Sequence, residues 1–460
     1  MTIRESSLWL VLDARRARRQ GPEAIARRQR ARLAEMVSFA RTASPYYRAL
    51  YRALPERVED PTLLPVTDKQ TLMARFGDWV TDPKVKEADV RAFVEDSGLI
   101  GERFLGRYTV ATTSGTTGSR GIFLLDDRSF AVTAALAARM LSAWLSVGDV
   151  FRIFARGGRM AMVNATGGHF ASAVAGVRLR RSRGERVQVF PVDMRRREMV
   201  QSLNEFRPAI LAAYASMGAL LAGDQESGRL RITPVLVVLS AEGLPSREYD
   251  RIASAFDATV RDSYAATECP FLSYRCEDGW LHVNSDWAVL EPVDAEYRPV
   301  PPGTQSNTVL VSNLANRVQP VLRYDLGDSV VQRPDACPCG NPLPAVRVQG
   351  RTADVLAFAG MDGERVEIAP LMISSAVGEA PSVARFQIVQ VSSHNLRVRL
   401  ALEGGTDSEQ VWQEVSARVT RLLARHRLSN VTVERGEEPP ERTPGGKYRE
   451  VVPLAKGSEA

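Results

Sequence analysis

Apolar positions change their spacing three times along the chain, and each change marks a different kind of structure. Over residues 5–55, Ala24, Ile25, Ala26, Leu33, Met36, Val37 and Phe39 recur at near-helical spacing, which predicts helices. Pro45 interrupts this run, Pro61 and Pro65 mark a loop, and Asp68 is placed to cap a short helix. From about residue 107 the pattern becomes two short apolar runs, 108–112 and 122–125, around a loop rich in glycine and hydroxyl residues. Further on, β-branched runs at 187–192, 209–211 and 234–239 alternate with helical stretches. That alternation predicts an α/β fold with mainly parallel sheets.

After the sequence PVPPG at 299–303 strand-like runs predominate, at 308–312 and 318–324. Beyond about residue 350, strands at 385–390, 396–402 and 431–434 and a helix at 408–427 form an α+β pattern of their own. We expect a large N-terminal unit over 1–350, with 1–80 as a mainly helical lead-in and a β-rich part at its end. A small C-terminal α+β unit is expected over 351–460. The length of 460 residues agrees with more than one core.

Composition narrows the setting. With 44% hydrophobic and 25% charged residues the chain reads as ordinary globular protein. No uninterrupted apolar run reaches the length of a membrane helix. The N-terminal apolar stretch is very short and no small-residue cleavage site follows it, so a cytoplasmic location is expected. A net charge of +6 raises the question of nucleic acid. The basic clusters at 15–19, 28–32, 178–186 and 195–197 have no interleaved aromatics, however. Neither a nucleic-acid nor a membrane partner is expected, and a homodimer stays open. Lysine occurs only at positions 69, 84, 86, 447 and 456, the other basic residues being arginine. A chain so economical with lysine still uses it where a compact ammonium is needed.

Four motifs carry candidate chemistry. Thr112, Thr113, Ser114, Gly115, Thr116, Thr117 and Gly118 supply backbone N–H groups and hydroxyls able to surround phosphate oxygens. They do not form a Walker loop; a plain exposed turn is the bland alternative. The sequence SYAATE at 263–268 combines a ring that can stack on a purine, a hydroxyl, and a carboxylate suited to magnesium. In YDLGD at 324–328, followed by Gly350 and Arg351, a carboxylate after a glycine turn is suited to a ribose. Near the C-terminus, RTPGGKYR at 442–449 presents Lys447 on a Pro-Gly-Gly turn, where an ammonium could neutralise charge developing at a phosphate.

The order and spacing of these motifs resemble the adenylate-forming superfamily of acyl-CoA ligases, luciferases and peptide-synthetase adenylation domains, over nearly the whole chain. Within it, LPVTDK at 64–69 and the turn Cys337-Pro-Cys339-Gly340 look most like the phenylacetate-CoA ligase branch, which includes CapK-like proteins. The resemblance implies a large ATP- and acyl-binding domain and a small mobile domain carrying the catalytic lysine. It implies that the 112–118 loop holds the β- and γ-phosphates of ATP, with Glu242 and Ala265 adding nucleotide contacts. Tyr264 would stack on adenine, Thr267 touch the α-phosphate, Glu268 hold Mg²⁺ and Asp328 bind the ribose, with Arg351 at the hinge. Lys447 would bridge carboxylate and α-phosphate. His169 would belong to the carboxylate pocket, which Tyr264 and Cys269 would also line.

Departures from the superfamily pattern fall on the second half-reaction. Ser119 and Arg120 stand where many relatives have Pro-Lys, Ala353 replaces a hinge acid, and residues 358–364 lack the usual basic residue beside the CoA channel. The reaction that the resemblance implies is ATP-dependent activation of a small aromatic acid as an acyl-adenylate, with CoA as acceptor. The alternatives are transfer to an amine, a hydroxyl or a carrier-protein thiol, or a catalytically silent nucleotide-binding homologue. Separately, Cys276, His282, Cys337 and Cys339 offer three thiolates and one imidazole, a set that fits structural zinc. Unrelated reduced thiols are the bland reading, and a disulfide is not expected in the cytoplasm.

Overall fold

The computed structural model describes residues 7–113, 121–166, 168–192, 194–241, 243–244, 246–351, 355–362, 364–368, 370–378, 380–402, 404, 406–441 and 449–454. At its centre is a five-stranded sheet of Met160–Asn164, Val187–Pro191, Ile210–Tyr214, Leu236–Ser240 and Thr259–Asp262, all parallel. The spatial order, numbering these strands along the chain, is 2-1-3-4-5. Helices Ala171–Arg183, Arg196–Phe206, Ala215–Glu226 and Ser246–Phe256 make the crossovers. Both sheet faces are covered, which is why the strands read as apolar runs: Ala161, Val163, Leu211, Ala213, Val237 and Leu239 are all buried in one core. Strand order reverses beside the first strand, and in open parallel sheets ligands bind outside the carboxyl ends at such a switch point. The chain leaves that edge through Gly168 and His169 after the first strand and through residues 263–268 after the fifth.

The expectation of mainly parallel sheets holds for this sheet. Among the described residues the sheets that complete the first 350 residues are antiparallel. A hairpin of Tyr108–Thr112 and Ile122–Leu125 forms the stem of the hydroxyl-rich loop. A three-stranded sheet joins Ala288–Val293, Thr308–Asn313 and Tyr324–Asp325. A four-stranded sheet orders Asp328–Gln332, Ala345–Arg351, Leu281–Val283 and Ser273–Arg275. The strand expected over 318–324 is an irregular segment up to Arg323. Pro320 lacks an N–H to give to a ladder, and the carbonyls nearby accept from side chains instead. Trp79 Nε1 and Tyr47 Oη both donate to the Pro320 carbonyl, and Thr67 Oγ1 donates to that of Leu322.

The N-terminal helices are Ser7–Gln20, Pro22–Ala43 and Pro45–Leu50. Ser44 caps the third by accepting from the Tyr47 N–H, with Pro45 in its first turn. An ion network ties these helices to the rest. Asp286, fully buried, accepts from both terminal nitrogens of Arg139 at 2.8 and 2.6 Å, and Arg32 bridges Asp286 to Asp13. Burial raises the Asp286 carboxyl, but the two guanidinium groups outweigh it and hold the carboxyl below the usual range. Arg32 also lies 3.6 Å over the Trp287 ring.

Residues 356–452 build a core among themselves, from Leu356, Phe358 and Ile388 to Val415, Leu423 and Val451. Its sheet orders Thr432–Gly436, Asn395–Leu402, Val383–Ser392 and Val451–Val452, with helix Ser408–Arg425 packed on it through Val411, Val415, Val419 and Leu423. The helix is capped by Asp407, whose carboxylate accepts from Glu409 and Gln410. Among the described residues no single helix is long and apolar enough to cross a membrane.

Candidate active site

Residues 263–268 leave the fifth parallel strand and turn sharply. Ala266 and Cys269 exchange backbone hydrogen bonds of 3.3 and 3.0 Å, so Thr267 and Glu268 occupy the two central positions of the turn. Three groups fix it from outside. Asn313 Nδ2 donates to the Glu268 carbonyl at 2.9 Å, and Tyr324 Oη donates to the Glu268 carboxylate at 3.0 Å. Ser273 donates to the Tyr264 carbonyl through both N–H and Oγ, at 3.0 and 3.1 Å. Glu268 is buried, and burial together with the Glu268 charge pushes the Tyr324 phenol well above its usual range, so it stays a donor. A buried carboxylate beside the Thr267 hydroxyl is chemistry suited to a divalent cation and phosphate oxygens.

The third motif meets the second. Tyr264 Oη donates to Asp328 Oδ2 at 2.6 Å. Gly327, at φ +75°, makes the turn that places Asp328 there, a conformation glycine adopts without strain. Arg351 lies opposite Asp328 in strand register; only its backbone is among the described residues. Ala265 is exposed beside Tyr264. Thus SYAATE, YDLGD and Gly350-Arg351, with Tyr264 and Asp328 64 residues apart in sequence, converge only through the fold, although each alone reads as a surface turn.

The loop stem stands at the neighbouring edge. Thr113 N–H donates to the Gly121 carbonyl at 3.0 Å and Gly121 N–H returns a bond to Thr113 Oγ1 at 2.9 Å. A Cβ on Gly121 would come within 2.8 Å of the Phe123 ring and 3.3 Å of Lys69 Cδ, so glycine is required by close approach. The stem is coupled to Glu268 through rings: Phe123 packs edge-on against Tyr324, centroids 6.5 Å apart. Gln319 Oε1 accepts from the Leu124 N–H at 2.6 Å, supplying a bond that a neighbouring strand would otherwise give. Ser114, Gly115, Thr116, Thr117 and Gly118 lie outside the described residues, as do Glu242 and Lys447.

His169 and Cys269 are both buried. Thr112 N–H donates to the His169 carbonyl at 2.7 Å, joining the loop stem to the first parallel strand's exit. His169 Nε2 is 3.1 Å from the Asp96 carbonyl, which can only accept, so the proton sits on Nε2. Nδ1 is buried without a hydrogen-bond partner among the described residues, and Phe93 lies 5.4 Å away, ring to ring. Cys269 packs in a core with Val132, Phe271 and Leu272, where burial pushes its thiol up. The residues that motif reading assigned no role are Tyr324, Asn313 and Ser273. Tyr324 stood within a quoted motif; Asn313 reaches Glu268 only through tertiary packing.

At the four-stranded antiparallel sheet, Cys276, His282, Cys337 and Cys339 place one donor atom each within 4.8 Å of all the others. The Cys276 and Cys337 sulfurs are 3.7 Å apart, and Cys339 Sγ is 3.2 Å from His282 Nε2. Tetrahedral zinc with sulfur at about 2.3 Å sets sulfurs roughly 3.8 Å apart, so the spacing fits. His282 Nδ1 donates to the Leu343 carbonyl at 2.8 Å, which aims the Nε2 lone pair into the cluster. Burial raises the Cys276 thiol, but its hydrogen-bonded surroundings outweigh it and bring it down to about 6.

No family model matches the chain. Protein CapK of Staphylococcus aureus is 25% identical over 257 residues, 54% of this chain and 54% of CapK, so the match spans about half of that curated relative. Among solved structures, 2-hydroxyisobutyryl-CoA ligase in its postadenylation state with R3-HIB-AMP superposes with a TM-score of 0.65 at 20% identity, covering 95% of this chain and 90% of the ligase. The anthranilate CoA ligase AuaEII with anthranoyl-AMP gives 0.53 at 17% identity, covering 74% and 65%. The chain has the α/β fold of these adenylate-forming ligases.

Proposed function

We propose that the protein activates a carboxylic acid with ATP as an acyl-adenylate and passes the acyl group to a thiol, CoA being the expected acceptor. The observation that carries this reading is the convergence of the Tyr264–Asp328 and Tyr324–Glu268 pairs at the carboxyl edge of the parallel sheet. It is supported by a fold shared with a ligase solved with an acyl-AMP. A substrate carboxylate oxygen attacks the α-phosphorus, the bond to pyrophosphate breaks, and AMP becomes the leaving group. The thiol, losing its proton, then attacks the acyl carbon and releases AMP. Tyr264 and Asp328 hold the nucleoside, Thr267 touches the α-phosphate, Lys447 bridges the carboxylate and the α-phosphate, and the 112–118 loop holds the β- and γ-phosphates. Glu268 is the residue that would hold magnesium, which neutralises phosphate charge when bound. His169, with Phe93 against it, lines the acid pocket. A small aromatic acid is the favoured substrate, supported by the branch resemblance and by a neighbour solved with anthranoyl-AMP.

The sequence departures around 353 and 358–364 favour, as a second reading, an amine, hydroxyl or carrier-protein thiol as acceptor. One experiment separates the readings: carboxylate-dependent pyrophosphate exchange across a panel of acids, followed by AMP release with and without CoA. Exchange with at least one acid is expected; none across the panel removes the proposal. AMP release indifferent to CoA removes CoA alone. The small C-terminal unit is proposed to span residues 351–460 and to turn between the two half-reactions.

The Cys276, His282, Cys337 and Cys339 set is proposed to bind structural zinc. Protein purified without chelator should contain about one zinc per chain, and its removal should lower thermal stability by several kcal/mol. Metal-free protein of unchanged stability would end this assignment.

A further inference from the structure

Arg323, the residue before Tyr324, is strained in its backbone and buried in its side chain. At φ +46° it is left-handed, a conformation that a residue with a Cβ keeps only where its surroundings enforce it. Here they do. Its N–H donates to Ser312 Oγ at 2.8 Å, and its carbonyl accepts from the Thr67 N–H at 3.0 Å. Its guanidinium gathers acceptors from three separate segments. Nη1 donates to the Leu64 and Thr62 carbonyls at 2.7 and 3.2 Å, Nη2 to the Tyr297 carbonyl at 3.4 Å, and Nε to Glu291 Oε1 at 3.3 Å. Glu291, on strand Ala288–Val293, is the weak member of this cluster. Its bond to Arg323 is long, and its Oε2 is buried without a hydrogen-bond partner among the described residues. A buried pair so incompletely satisfied adds little to stability, because desolvation offsets the attraction.

We propose that the Arg323–Glu291 pair positions Tyr324, and through it the Glu268 carboxylate, for the adenylation step, a role that rests on the adenylation reading above. The left-handed turn at Arg323 sets the direction in which Tyr324 leaves the chain, and Tyr324 Oη donates to Glu268 Oε1 at 3.0 Å. Arg323 clamps that turn to Thr62, Leu64 and Tyr297, while ionised Glu291 supplies the charge that holds the guanidinium there. Burial raises the Glu291 carboxyl and Arg323 lowers it in part, leaving it at about 7. Asp60 also opposes its ionisation. Tyr51, which faces Arg323, is held well above its usual range by burial and stays neutral, and Tyr297 Oη donates to Asp325 at 3.1 Å. Opposite Glu291 in strand register is the uncharged Leu310. The clamp therefore tightens as pH rises through neutrality. Stability moves the other way. Folding favours the protonated carboxyl, so the stability it contributes is complete below the usual carboxylate range and is lost as pH rises through about 7. The ionised pair costs stability and contributes alignment.

The test is carboxylate-dependent pyrophosphate exchange by wild type and Glu291→Gln from about pH 5.5 to about pH 8.5, with thermal melts of both. Glutamine keeps the shape of the protonated carboxyl and cannot ionise. The ratio of wild-type to variant rate, in which every group that titrates in both proteins cancels, should be near unity at the acid end. It should rise to about tenfold at the alkaline end, with its midpoint at about 7. Over the same range the wild type should lose thermal stability relative to the variant. In a Tyr324→Phe background the rise should vanish, because the pair then has no hydroxyl to aim. A merely structural role would leave the ratio independent of pH. A constant ratio, a rise that persists without the Tyr324 hydroxyl, or a melting difference that does not move with pH each overturns the proposal. Wild type without exchange on any acid of the panel would instead remove the adenylation reading, and this positioning role with it.

Discussion

Glu268→Gln is expected to lower carboxylate-dependent pyrophosphate exchange by about 10²–10³-fold while leaving the melting temperature nearly unchanged. The argument rests on what the amide keeps and what it loses. Glutamine retains an oxygen to accept from Tyr324 Oη, and the bond from Asn313 goes to the backbone carbonyl, which the substitution does not touch. Turn geometry therefore persists. What disappears is a full negative charge at a buried position, where a charge acts more strongly than in water. If the role is to hold the ion that offsets phosphate charge, activity falls and fold does not. A variant that loses activity and stability together would mark Glu268 as a strut for the turn.

A large loss of stability is expected from Asp286→Ala. Removing one partner of a buried ion pair leaves the other charge desolvated and typically costs about 3–5 kcal/mol. Here Arg139, which binds Asp286 through both terminal nitrogens, is left without its carboxylate, while Arg32, 3.7 Å from Asp286, keeps its pair with Asp13. The network also joins helices Ser7–Gln20, Pro22–Ala43 and Asp127–Trp144 to the segment before strand Ala288–Val293. A fall of about 5–15 °C in melting temperature should follow. A fall below about 2 °C would show that water enters the site and screens both arginines.

Local patterns carried much of this architecture. The runs at 108–112, 122–125 and 308–312 are strands because their side chains are buried on both faces, which makes continuous apolar stretches easy to read. The helix expected over 408–427 spans Ser408–Arg425, fixed by its Asp407 cap and apolar spacing. Segment 318–324 misled because its apolar residues are buried by contact with Tyr47, Thr67 and Trp79, and not by strand pairing. Short strands such as Ser273–Arg275 and Leu281–Val283 have too few residues for a period to show. In the site, Tyr264, Glu268 and Asp328 could be picked out by residue type. Their pairing could not, since the hydroxyl that holds Glu268 comes from Tyr324 and the one that holds Asp328 comes from Tyr264. Such crossed partners depend on the register of sheets formed by distant segments.

The Cys276, His282, Cys337 and Cys339 cluster has a reach beyond its own surroundings. Joined through one ion, its two halves would close residues 283–336 into a ring of 54 residues. Closing a chain of that length removes about 4 kcal/mol of freedom from the denatured ensemble. Tyr324 and Asp328 both lie inside that ring. The ion would thus favour assembly of the proposed nucleotide site without touching it, by making its disassembled alternatives fewer.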